Sequence, residues 1–420
     1  MQKFDYLIIG NGICGVTAAE TLRGKDAEAS IAIVDQENNP LYSRVLLPNY
    51  IEGKISREAL FLRDEAFYRK NNIVFFGGET AVKLVSDENK IYLTSGEEIE
   101  YGKLLLASGG HIAKPSIPGI DLKNIHFFRT IFDADDIIET IKQIKELPQE
   151  KQKIVIWGGG FIGLEFASSF AACGIGGYVV IRRPYYMGDR LDADSANLLS
   201  SFIENNGFKI INNSYITEIL GTDTVEGVKL NSGEILECSS VGLGLGLDLN
   251  SDFFAGSGLK ITKGIETNER LETSVKDIYA GGDVANSFQP SFGKHLSIGS
   301  WTNALFHGKI AGQNMFGEKS SIDFISSYSG VYFGINIIFM GDTSADKDTI
   351  TVSRGENESL GGGTGWREQF FFRDNLLVGA TIINRSKDRK IIGELIKNKN
   401  EIKNYLELTD SLKALEEYAG

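Results

Sequence analysis

The stretch Tyr6-Leu-Ile-Ile-Gly-Asn-Gly-Ile-Cys-Gly15, followed by a helix-compatible run and then by Ile31-Ala-Ile-Val-Asp35, decides the fold. A short apolar run without alternation suits a strand covered on both faces, as in a parallel sheet. The glycines of the G-x-G-x-x-G spacing have separate jobs. Gly10 permits the tight turn after the strand, Gly12 lets the backbone approach a pyrophosphate, and Gly15 lets the helix pack closely on the sheet. The helix N-terminus offers free N–H groups and the positive end of its dipole to phosphate oxygens. Asp35 ends the second strand, where a carboxylate can accept hydrogen bonds from ribose hydroxyls.

The same unit occurs again. Ile154-Val-Ile-Trp-Gly-Gly-Gly-Phe-Ile-Gly163 leads into a helical stretch and then Tyr178-Val-Val-Ile-Arg182. Gly158, Gly160 and Gly163 meet the requirements of the first copy. At the strand end, however, Arg182 and Arg183 replace the acid. Arginines there can pair with a 2′-phosphate, which favours NADPH; the alternative is that both face solvent and NADH binds through other groups. Two βαβ units in one chain predict an α/β protein with two Rossmann-like dinucleotide-binding domains.

Further strand-like runs lie at Ile73–Phe76, Ala81–Ser86, Lys90–Leu93 and Leu104–Ala107, then near Lys209–Asn212 and Glu226–Leu230. A helix is expected over Trp301–Phe316. Beyond it the pattern changes. Val331–Met340 and Gln369–Asn384 read as strands around turns and Lys387–Glu417 as helical, together a C-terminal α+β domain.

Composition narrows the function. A chain of 420 residues is too long for one core and predicts two or three domains. The net charge of −13 argues against nonspecific nucleic-acid binding and against an anionic membrane surface. No apolar run approaches the ~20 residues of a membrane span. The opening residues move straight into a strand, with no signal-peptide pattern. Cys14, Cys173 and Cys238 form no paired motif and no metal-ligand spacing, and a cytoplasmic address is the simplest reading. No metal is expected. The four histidines, His111, His126, His295 and His307, read as structural or surface groups.

In these features the chain resembles the pyridine nucleotide-disulfide oxidoreductase superfamily over nearly its whole length. Leu104-Leu-Leu-Ala-Ser-Gly-Gly110 resembles the family's strand and Ala-Thr-Gly turn, with Ser108 in place of threonine, and Tyr279-Ala-Gly-Gly-Asp283 resembles its second FAD fingerprint. The resemblance implies FAD as cofactor, held by Gly10, Gly12, Gly15, Asp35, Arg44, Val82, Ala107, Ser108, Gly109, Gly282 and Asp283, with Asp283 on the ribitol chain. It implies NAD or NADP on Gly158, Gly160, Phe161, Ile162, Gly163, Arg182, Arg183 and Gly244. Phe161 matches an aromatic gate over the flavin and Glu165 a glutamate facing the nicotinamide pocket; either could equally serve ordinary helix packing. Arg44 would sit near the flavin, or be a surface arginine, and Trp301 would lie against the isoalloxazine, or be a core tryptophan.

One segment departs from the thiol-using members. Tyr42-Ser-Arg-Val-Leu-Leu-Pro48 puts Val45 where single-cysteine members carry their cysteine, and valine cannot attack a disulfide. The segment instead resembles the cysteine-free branch of rubredoxin reductases and the FAD portion of NADH-dependent nitrite reductases. The implied fold is an FAD domain (1–112 and 246–322) split around an NAD(P) domain (113–245), then an interface domain (323–420). The implied activity is NAD(P)H:acceptor oxidoreduction, with electrons exchanged with rubredoxin, ferredoxin or an iron-sulfur partner subunit. A homodimer is compatible with this. The competing readings are a subunit of a larger redox complex, an oxygen-using NAD(P)H oxidase, and a flavin-bearing interaction protein with negligible turnover.

Overall fold

The computed structural model describes residues 2–248, 252–356 and 365–418. They group into two compact units: Met1–Ser43, Glu58–His111 and Asp248–Tyr328 form the first, and Arg44–Arg57, Ile112–Leu247 and Ser329–Gly420 the second.

The first unit is built on a parallel sheet. Its strands run Ile73–Gly77, Ile31–Asp35, Gln2–Ile9 and Glu98–Leu106 in spatial order, and Ile278–Ala280 pairs with the end of the last. The register Ile278↔Leu104, Tyr279↔Leu105, Ala280↔Leu106 is parallel. A strand from far along the chain therefore completes a sheet begun at the N-terminus. Ala81–Val85 and Lys90–Leu93 extend the sheet by antiparallel pairing. Leu7, Ile8, Ile31, Ile33, Leu104 and Leu105 are fully buried, as apolar strands covered on both faces require. Helix Ile13–Lys25 lies against helix Trp301–Phe316. Gly308 and Gly312 make that approach possible: a Cβ on Gly308 would stand 2.2 Å from the Cys14 carbonyl oxygen, and one on Gly312 2.9 Å from that of Ala18.

The second unit repeats the plan. Strands Phe208–Ile211, Gly176–Val180, Lys153–Trp157, Ser240–Leu243 and Ile125–His126 form a wholly parallel sheet. Helix Ile131–Lys145 starts at a capping box made by Thr130 and Asp133, and helix Ala193–Asn205 is capped by Asp192. The segment at Arg44–Arg57 packs here: Tyr50 and Arg57 both donate to the Asp135 carboxylate, at 2.7 and 3.0 Å.

The C-terminal part of this unit is an antiparallel sheet in the order Ser327–Tyr332, Ile335–Gly341, Leu376–Ile383, Trp366–Arg373, Ile350–Glu356. Strand Ile350–Glu356 was not anticipated in the sequence. The turns at Phe333-Gly334 and Asp374-Asn375 have positive φ at both central residues, the hairpin geometry that matches strand twist. The long helix expected over Lys387–Glu417 is shorter. It spans Arg389–Asn398 and stops where Lys399 turns left-handed at φ 54°. Ile402 N–H then donates to the Asn375 carbonyl at 2.8 Å, so the chain docks on a sheet turn instead of continuing the helix. No described helix is long and apolar enough to cross a membrane.

Candidate functional site

Each unit carries a glycine cradle at the carboxyl ends of its parallel strands, where ligands of open α/β sheets bind. The two cradles agree atom for atom. Gly10 has φ +112° and a Cβ there would meet the Ala107 carbonyl oxygen at 2.3 Å; Gly158 has φ +137° and would meet the Gly244 oxygen at 2.2 Å. Cβ atoms on Gly15 and Gly163 would overlap the carbonyl oxygens of Gly10 and Gly158, at 1.9 and 2.1 Å. Gly12 and Gly160 are the exceptions, with nothing within 4 Å of an added Cβ. Four glycines thus lock turn and helix together, and two leave an open floor.

The helices that follow are prepared for an anion. Ile13–Lys25 and Phe161–Ala172 begin at Gly12 and Gly160 without a side-chain cap, and neither has an acid in its first turn. Ile131–Lys145, Ala193–Asn205 and Trp301–Phe316 are instead capped by Thr130, Asp192 and Ser300. First-turn N–H groups without a side-chain acceptor, beside an open glycine, fit a pyrophosphate.

In the first unit the Asp35 carboxylate accepts from Asn11 N–H at 2.5 Å and Glu37 N–H at 2.8 Å, which fixes it beside the cradle. Asn11 is buried. It accepts from the Tyr68 hydroxyl at 2.9 Å and donates to the Asn39 carbonyl at 2.9 Å. Ala107, Ser108 and Gly109 form the turn after strand Glu98–Leu106, and Gly282 and Asp283 follow strand Ile278–Ala280. Gly10, Gly12, Gly15, Asp35 and these five residues therefore share one end of one sheet. Trp301 is the first residue of helix Trp301–Phe316 and packs, half-buried, against the core of that unit. Val82 is half-exposed on strand Ala81–Val85. Arg44 lies in the second unit, where it donates to the Arg129 carbonyl at 2.5 Å.

Sequence reasoning missed His307. Its Nδ1 accepts from Gly282 N–H at 3.2 Å, and burial pushes its pKa down to about 4, so the imidazole is neutral under the Gly282-Asp283 turn. Asn11 and Tyr68 were also missed. Only the place of Asn11 inside the G-x-G could have signalled its role.

In the second unit the strand end differs from the sequence reading by one residue. Gly10 N–H donates to the Val34 carbonyl and Gly158 N–H to the Val180 carbonyl, at 2.8 and 3.0 Å. The residue equivalent to Asp35 is therefore Ile181, not Arg182. Ile181 is buried, and its Cγ2 would lie 2.7 Å from a Cβ on Gly159, which corresponds to Asn11. Arg182 and Arg183 follow, both exposed. The Arg182 guanidinium lies 5.8 Å from the Tyr215 ring centre, and Arg183 is 3.8 Å from Asp189. Phe161 and Ile162 open the helix, and Glu165 is half-buried on its second turn. Phe161 meets Phe339 edge-on at 5.0 Å, with the Arg190 guanidinium over both rings. The buried Tyr186 hydroxyl donates to the Gly160 carbonyl at 3.1 Å and braces the cradle from below. Tyr186 and Arg190 left no signal in the sequence.

Burial disfavours the thiolate at all three cysteines. Burial pushes the Cys14 and Cys173 thiols up and that of Cys238 to about 12, so all three are protonated at neutral pH. Val45 is exposed and carries no sulfur.

Two uncapped glycine cradles on two doubly wound sheets, one with an acid at the end of its second strand, form together with the family match below the frame of an FAD-dependent NAD(P)H oxidoreductase. Residues 4–308 match the family described as pyridine nucleotide-disulphide oxidoreductase, and the chain belongs to it. It is 30% identical over 348 residues to the NADH-rubredoxin oxidoreductase of Clostridium acetobutylicum, covering 83% of this chain and 84% of that one. It is 28% identical over 407 residues to the nitrite reductase [NAD(P)H] of Bacillus subtilis; there 96% of this chain spans 48% of the relative, about half its length. Among solved structures, a ferredoxin reductase from Rhodopseudomonas palustris superposes with a TM-score of 0.87 at 25% identity, covering 99% of this chain and 100% of that one.

Proposed function

We propose that this chain passes reducing equivalents between a nicotinamide dinucleotide and a small one-electron carrier, a rubredoxin, a ferredoxin or an iron-sulfur partner subunit, without a thiol of its own in the relay. The observation that carries this reading is the pair of matching cradles combined with valine at position 45 and three protonated thiols. The relatives named for rubredoxin and ferredoxin reduction support the choice of carrier.

Bound FAD supplies the exchange between two-electron and one-electron chemistry. The protein's own part is to bind, orient and exclude water. Gly12 and the first-turn N–H groups of helix Ile13–Lys25 take the FAD pyrophosphate, Asp35 takes its ribose, and Asp283 takes the ribitol hydroxyls. Val82, Ala107, Ser108, Gly109 and Gly282 line the rest. Gly160 and helix Phe161–Ala172 take the dinucleotide's phosphates, with Ile162, Gly163 and Gly244 shaping the turn. Phe161, Glu165, Arg44 and Trp301 are assigned to the reacting rings. The boundaries 1–112, 113–245, 246–322 and 323–420 and a cytoplasmic address belong to the same proposal.

The reading favours NADPH. Buried Ile181 removes the carboxylate that would accept from a ribose diol and repel a 2′-phosphate. Arg182, resting on Tyr215, stands immediately beyond it.

The test is carrier reduction after thiol blocking. Purified holoprotein, its accessible thiols alkylated under native conditions, is mixed without oxygen with NADPH or NADH and then with rubredoxin or a [2Fe–2S] ferredoxin. The carrier's visible band should bleach at the rate seen with unmodified protein. Loss of carrier reduction on alkylation would show that a working cysteine takes part.

A further inference from the structure

We propose that Arg190 is a pyrophosphate-binding cation of the second cradle, parked on the Phe161 and Phe339 rings until a dinucleotide arrives. The proposal rests on the reading of Gly158–Gly163 as the nicotinamide cradle. Phe161 is the first residue of its helix, so the ring on which the guanidinium rests belongs to the uncapped helix N-terminus, and a long arginine side chain can swing from one to the other. The Arg190 guanidinium carbon is 5.7 Å from the Phe161 ring centre and 5.9 Å from that of Phe339. Among the described residues these rings are its side-chain partners, and it has no counter-ion. Neighbouring Asp189 is turned to Arg183 instead.

The backbone around Arg190 is held while its side chain is exposed. Arg190 and Leu191 N–H both donate to the carbonyl of buried Met187, at 2.8 and 2.9 Å, and Asp192 caps the next helix by accepting from Ser195 N–H at 2.7 Å. An exposed guanidinium resting on an aromatic ring is held weakly, whereas a guanidinium fork on phosphate oxygens makes paired, charge-assisted bonds. An arriving pyrophosphate therefore outcompetes the rings. Phe161 then loses the cation from its face while its edge contact with Phe339 stays, so filling of the cradle is reported to the ring at the start of the helix. The loop between Arg182 and Arg190 would read both ends of the adenine half: the 2′ position at its start and the pyrophosphate at its end.

The experiment is calorimetric titration of the oxidised, FAD-containing protein with ADP-ribose, which carries the pyrophosphate and lacks the nicotinamide. Arg190→Met keeps the apolar stem and removes the charge. Gly160→Ala adds a methyl group to the open floor of the cradle, where the structure has room for it. Arg190→Met should weaken ADP-ribose binding about tenfold or more, reduce the salt dependence of that binding, and leave the thermal midpoint unchanged. Arg190→Lys should restore part of the affinity. If Gly160→Ala weakens binding and Arg190→Met does not, the role of Arg190 is overturned and the cradle stands. If neither substitution weakens it, the cradle reading itself has failed.

Discussion

At the scale of single residues, the proposed preference for NADPH rests on three consecutive side chains. Asp35 accepts from backbone N–H groups beside its cradle, and in the second cradle Ile181 stands in its place with Arg182 and Arg183 beyond. Replacing Arg182 with Glu and Arg183 with Ser should raise KM for NADPH about 10- to 100-fold relative to NADH, the range expected when charge-assisted bonds to a phosphate are lost. Steady-state flavin reduction with each nucleotide checks it; an unchanged ratio removes the basis for the NADPH preference. His307 gives a second prediction. Its folded pKa of about 4 lies below the ordinary value of 6.5, so between the two the unfolded chain binds the proton and the folded chain does not. That contribution to stability is present above pH 6.5 and is lost as the pH falls towards 4. His307→Gln, which can still accept from Gly282 N–H, should remove about 2 kcal/mol of the destabilisation between pH 7 and pH 5, read from urea unfolding at both pH values.

At the scale of elements, the glycine turns were legible because only glycine meets their geometry. Gly10 and Gly158 need positive φ against a facing carbonyl, and that constraint is written in the sequence. The strand-end register was not. Arg182 follows an apolar run without a break, and only the hydrogen bond from Gly158 to Val180 shows that Ile181 is the equivalent of Asp35. The C-terminal helix was overdrawn for a related reason: Asn398-Lys399-Asn400 is compatible with helix by pattern, and the stop comes from docking on the Asn375 turn. Strand Ile350–Glu356 alternates only weakly between buried and exposed positions, so its sequence has no clear period of two. Gly12 separates turn chemistry from ligand chemistry. Because an added Cβ meets nothing within 4 Å, Gly12→Ala should fold with an unchanged far-ultraviolet circular dichroism spectrum yet retain several-fold less FAD on purification. Wild-type flavin content in that variant would mean that the open floor is not where the pyrophosphate approaches.

At the scale of the whole molecule, one topological fact organises the chain. Strand Ile278–Ala280 returns to pair with Glu98–Leu106, so the first sheet is interrupted by the segment that builds the second. This was legible from the order of the motifs, since Tyr279-Ala-Gly-Gly-Asp283 comes after the second glycine unit. The assignment of Arg44–Arg57 to the second unit was not, because it depends on side chains such as Asp135 gathering Tyr50 and Arg57. Duplicated cradles matter only if they serve one reaction, with the nicotinamide delivering hydride to the flavin directly. Rapid mixing of the oxidised holoprotein with NADPH or NADH in the absence of oxygen, followed by flavin absorbance near 450 nm (an approximate band position typical of flavins), tests this most directly. The account predicts full bleaching within the dead time or first seconds with at least one of the two nucleotides, before any carrier is added. Flavin that stays oxidised with both would contradict it.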